Sequence, residues 1–200
     1  MVRTHGRHSV HQWPQRPMLC LNEPLLAAQI TDPRLRSLYL HWNDIRGARD
    51  MPARQAIDPV RIPTVLSIIF LCDYDADTER LRYRLAGEEI RGAYAREITG
   101  RYQDELFEGA ERERHILRTR RVMRGPAILH ASGEVYGFAG RRGMGERIGL
   151  PLSTDGKTAD AVIGATAYRW TDVAPPAVMP EQRMCFSYWR LDGTALLDPS

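Results

Sequence analysis

The chain has 200 residues, 43% hydrophobic and 26% charged, which is enough apolar material for the core of one domain with extensions. The formal charge is only +3, and acids interleave with bases, as in Glu111-Arg112-Glu113-Arg114. Such mixed signs make a solvated face and not a field that gathers phosphates, so no nucleic-acid partner is expected. The longest apolar run, residues 65–72, is far short of the about 20 residues a membrane-spanning helix needs, so no membrane insertion is expected either.

Residues 1–24 read as a flexible arm. They lack periodicity, and His5, His8 and His11 sit there without any fixed geometry for a metal. No apolar h-region is present, so a signal peptide is not expected. The main domain is expected over 25–170. It opens with a helix over 32–46: Asp32 suits the N-cap, Pro33 the first helical position, and Gly47 the stop. Leu35, Leu38, Tyr39, Trp42 and Ile45 recur at helical spacing and make one strongly apolar face. That face must lie on a sheet or pair with another chain. Two readings stand: an interface with a second copy or a signalling partner, centred on Leu38 and Trp42, or a cover for the chain's own sheet.

Asp58-Pro59 starts a short turn. Residues 66–74 then read as a strand, 75–78 as a turn, and 80–85 as a second strand. In the second strand Leu81, Tyr83 and Leu85 alternate with Arg80, Arg82 and Arg84, the pattern of a half-buried antiparallel strand. Short helical pieces are expected over 88–95 and 102–107. A longer helix is expected over 110–124, closed by Gly125-Pro126. Three more strands are expected over 127–131, 147–153 and 159–168, the last two joined by a turn at Ser153 to Gly156. Residues 171–200, with Pro175-Pro176, read as a tail carrying one docked segment over 184–191. The order predicts an α+β fold: a five-stranded antiparallel sheet, central short helices, one longer helix and an amphipathic N-terminal helix.

This order resembles that of a PAS domain. The run Leu81-Arg82-Tyr83-Arg84-Leu85-Ala86-Gly87, then Ile90, then Glu97-Ile98-Thr99-Gly100-Arg101-Tyr102, is similar to the second strand and following helical segment of small stand-alone bacterial PAS-like proteins. The helix over 34–45, the segment Leu150-Pro151-Leu152-Ser153 and the Gly156 turn fit the same family, and the resemblance spans about residues 32–168. It implies a sensory or interaction module in bacterial signalling, without catalytic residues and with no established ligand or cofactor. One departure is the glycine-rich stretch with Gly133, Gly137, Gly140, Gly143 and Gly145, where the family tends to have a tight polar hairpin.

A PAS fold curls its sheet around a cleft. The residues expected to line it for a small-molecule ligand are Phe70, Tyr83, Ile90, Tyr94, Leu106, Ile116, Thr119, Met123, Leu150, Leu152 and Ile163. The other reading is that they pack on one another and leave a homodimeric interaction module with a packed core empty of ligand. His115 joins the cleft list, because some PAS domains hold haem through a histidine on this helix. Flavin photochemistry lacks its nucleophile, since no cysteine lies between Cys72 and Cys185.

The cysteines Cys20, Cys72 and Cys185 have neither zinc nor disulfide spacing, which fits a reduced, cytoplasmic setting. Gly156-Lys157-Thr158 ends like a phosphate loop, but Pro151 stands where its first glycine belongs and a strand follows. Ile148 replaces the third glycine of a dinucleotide fingerprint. No Gly-x-Ser-x-Gly occurs. An enzyme built from Tyr83, His115 and Asp104 would have no supporting spacing, so no catalytic residue is expected.

Overall fold

The computed structural model describes residues 25–138, 141–171 and 184–196. The histidines of the N-terminal arm and Pro175-Pro176 lie outside them. Four α-helices and six strands follow in chain order: α1 Leu25–Gln29, α2 Pro33–Arg46, β1 Ile69–Asp75, β2 Arg80–Ala86, α3 Glu88–Tyr94, α4 Gly109–Arg124, β3 Ile128–Phe138, β4 Arg141–Leu152, β5 Ala161–Thr171 and β6 Met184–Trp189. The strands form one antiparallel sheet in the order β2-β1-β5-β4-β3-β6. The α+β plan is as the sequence predicts, but with six strands and not five.

Three differences separate the sheet from the expected one. First, the short strands expected over 127–131 and 147–153 are the far ends of a long hairpin, β3–β4, that runs straight through the glycine-rich stretch, pairing Gly133 with Gly145 and Tyr136 with Gly143. Glycine weakens a strand by propensity, yet here it permits close approach: a Cβ on Gly145 would lie 2.0 Å from the Ala167 carbonyl oxygen. Second, the segment 184–191 is not a docked tail piece. Its first part is edge strand β6, paired with β3 from Ile128 to Gly133, so the sheet extends beyond residue 170. Third, Leu85 does not share the buried face of Leu81 and Tyr83. A bulge leaves Leu71 opposite Leu85 but Cys72 opposite Tyr83, which reverses the alternation. Leu85 is 48% exposed, and Ala86 is buried in its place.

Residues directly opposite across an antiparallel pair point to one face. Leu150 opposite Ile163 and Leu152 opposite Ala161 share the parity of Glu146. Glu146 accepts hydrogen bonds from the backbone N–H groups of Thr31 (3.0 Å) and Asp32 (2.8 Å), just before α2. Asp32 in turn caps α2 by accepting from the Arg34 N–H at 2.8 Å. Helix α2 thus lies on this face, and the Trp42 indole N–H donates to the Pro151 carbonyl at 2.9 Å. Leu35, Leu38, Tyr39 and Trp42 all have 0% exposure, and Ile45 is half-buried. Of the two readings of this face, the structure shows the cover: those four side chains pack on the chain's own sheet.

Candidate ligand-binding cavity

The opposite face carries Phe70 and Cys72 of β1, Tyr83 of β2, Arg147 and Gly149 of β4, and Val162, Gly164 and Thr166 of β5 by the same pairing rule. Gly164 makes room here: a Cβ would lie 2.3 Å from the Phe70 ring, which covers it. Helix α4 bridges this face at a distance set by ion pairs. Asp104, 3% exposed, binds Arg80 of β2 at 2.8 Å and Arg112 of α4 at 2.9 Å. Burial alone would raise the Asp104 carboxyl, but the two guanidinium groups outweigh it and hold its pKa below the ordinary value. At the other edge Arg118 and Arg121 lie over the rings of Phe186 and Tyr188 in β6, 4.3 and 3.9 Å from the centroids.

Between helix and sheet lies a cavity of about 1000 Å³. Of the side chains expected to line it, Phe70, Tyr83, Tyr94, Leu106, His115 and Thr119 do so. Ile90, Ile116, Met123, Leu150, Leu152 and Ile163 do not. Leu150, Leu152 and Ile163 belong to the α2 face, because strand alternation shows that two faces exist but not which one meets α4. On α4 the lining stripe is Glu111, Arg114, His115, Arg118, Thr119 and Val122; Ile116 and Met123, seven residues apart, belong to the next stripe round the helix. Ile90 is buried on α3 but is not on the cavity wall. A second hollow, of about 510 Å³ near Arg46, Asp50 and Arg190, is a more open surface feature.

The wall also holds residues that sequence reasoning missed: Phe107, Val135, Tyr136, Arg147, Met184 and Phe186. Tyr136 forms edge-on contacts with Tyr94 (5.2 Å between centroids) and Tyr168 (4.9 Å). Its hydroxyl is buried and sits close to Thr166 and Arg147. Arg147 donates from Nε to the Thr166 hydroxyl at 2.8 Å, and its guanidinium carbon is 5.2 Å from the Tyr136 ring centroid. Burial pushes the pKa values of the Tyr83 and Tyr136 phenols up, and the positive charge of Arg147 opposes this at both.

His115 is packed and neutral. Its ring stacks on Phe107 with centroids 4.7 Å apart, and Nε2 lies 3.1 Å from the Gln103 Oε1. Gln103 donates its other end to the Cys72 sulfur at 3.1 Å. Desolvation, then the charges of Arg118 and Arg147, lower the His115 pKa to about 3. A haem iron at Nε2 would have to displace Gln103. Asp104 and His115 are thus each committed to neighbours. The Gly156-Lys157-Thr158 segment is a turn, in which the Asp155 carboxylate accepts from the N–H groups of Lys157 and Thr158 at 2.8 and 2.7 Å.

Comparison with curated proteins and with solved structures gave no match. A family model described as a PAS domain matches residues 30–167, from the start of α2 to the middle of β5, and so takes in the whole cavity frame except β6. PAS domains are sensory or interaction modules. No helix among the described residues is long and apolar enough to cross a membrane. With the antiparallel sheet, the central short helices and α4 over the inner face, this match places the chain in the PAS-domain superfamily.

Proposed function

We propose that this PAS domain is a sensor that binds a small molecule reversibly between α4 and the inner face of its sheet and does no chemistry on it. The observation that carries this reading is the cavity itself. About 1000 Å³ with walls of Phe70, Tyr94, Phe107, Tyr136 and Phe186 is at the upper end of the volume that holds a drug-sized ligand, and these rings give it apolar walls beside its charged groups. Occupancy would be passed on through whatever partner reads the domain's surface.

Native mass spectrometry of freshly purified protein tests this. A co-purified small molecule, released on mild unfolding, is the expected result. An empty protein that also fails to take up added apolar compounds supports the competing reading, an interaction module with a closed core. Absence of a Soret band after haem addition would remove the haem variant of the sensor.

A further inference from the structure

We propose that the occupant of the cavity is an organic monoanion, a carboxylate on an apolar or aromatic body, whose charged end meets the guanidinium of Arg147. This rests on the cavity being a ligand site, and adds the ligand's chemical class.

The cavity wall carries two carboxylates and four guanidinium groups. Its carboxylates are already used. Glu134 binds Arg142 at 2.7 Å, and Glu111 binds Arg114 at 3.1 Å and also Arg118. Arg118 in addition covers the Phe186 ring. Arg147 differs from these. Its contacts are the Thr166 hydroxyl, a long 3.5 Å approach to the Val135 carbonyl, and the ring and hydroxyl of Tyr136. All are neutral, and among the described residues no carboxylate pairs with it. A guanidinium carries five N–H donors, so Arg147 keeps donors for a ligand beyond these contacts.

A cation shielded from water and unmatched by an anion is costly to keep, and a bound anion removes that cost. The buried hydroxyl of Tyr136 beside it is a further polar group within reach of a ligand. Arg96 and Arg114, both exposed parts of the lining, leave the wall net positive and favour entry of an anion. One planar fork matches the two oxygens of a carboxylate. The aromatic walls suit an apolar body in place of a second charge.

The test uses the uncharged dye N-phenyl-1-naphthylamine as reporter, and 4-phenylbutyrate with its amide as matched competitors. If the wild-type protein binds no dye, the cavity reading itself fails. If the dye binds, 4-phenylbutyrate should displace it at a concentration at least tenfold lower than the amide. Arg147→Met should still bind the dye but lose that preference. Arg147→Lys, which keeps the charge and loses the fork, should lower the preference at least threefold, and it serves as the test should the methionine variant not fold. Equal displacement by acid and amide in the wild type, no displacement by either, or a preference unchanged in both variants would overturn the assignment.

Discussion

At the scale of single residues, the cavity wall holds two groups whose state follows from their surroundings. His115 is neutral because desolvation and two nearby arginines disfavour its charge. An unfolded histidine titrates near pH 6.5, whereas the folded one has its pKa lowered to about 3. Between these values the unfolded chain binds the extra proton, so stability is full above about pH 6.5 and falls as the pH drops toward 3. Urea unfolding at pH 7 and pH 5 should show a smaller loss for His115→Gln than for the wild type, by about 1 kcal/mol per pH unit at most. Equal losses would mean that His115 does not contribute. Arg147 makes the opposite trade. With no carboxylate partner, its replacement by Met should leave the ligand-free protein as stable as the wild type, or more stable by about 1–2 kcal/mol. A loss well above 2 kcal/mol would show that Arg147 supports the fold and not a ligand.

At the scale of elements, α2 was the most legible in sequence, since Asp32, Pro33 and Gly47 mark its ends and its apolar residues mark its face. What that face meets could not be read from a helix alone, because a sheet and a second chain offer the same apolar surface. The structure places Trp42 against Pro151 of β4. Trp42→Ala should accordingly cost about 3–5 kcal/mol in denaturant unfolding, as for other buried tryptophans, while leaving the mass by light scattering unchanged. A shift in oligomeric state without loss of stability would reverse this. The hairpin β3–β4 was half-hidden, because Gly133, Gly143 and Gly145 look like loop residues until the close approach of β5 is known. Edge strand β6 was read only as a docked segment, since its strand form depends on pairing with β3, far away in sequence. The bulge that turns Leu85 outward is likewise a property of the β1–β2 pair and not of either strand's alternation.

At the scale of the whole molecule, the order of elements was enough to indicate the PAS fold, and the family match over residues 30–167 agrees with it. Half of the twelve residues expected at the cavity do line it: Phe70, Tyr83, Tyr94, Leu106, His115 and Thr119. The misplaced strand residues share one cause. Alternation in β4 and β5 fixes two faces, and nothing local tells which one looks toward α4, so the sequence points to Leu150 and Leu152 where Arg147 and Gly149 stand. Arg147 was invisible for a second reason. All basic residues but Lys157 are arginine, so an arginine in a strand carries no signal of its own.

The central claim, that the space between α4 and the sheet is a binding site, is tested most directly by titrating N-phenyl-1-naphthylamine into the wild type and into Thr119→Trp. Thr119 is buried on the α4 side of the cavity, and an indole there would occupy the volume that a ligand needs. The account predicts saturable one-site binding by the wild type, and at least tenfold weaker binding by a variant that remains folded by circular dichroism. Equal binding by the two folded proteins, or none by the wild type, would contradict it.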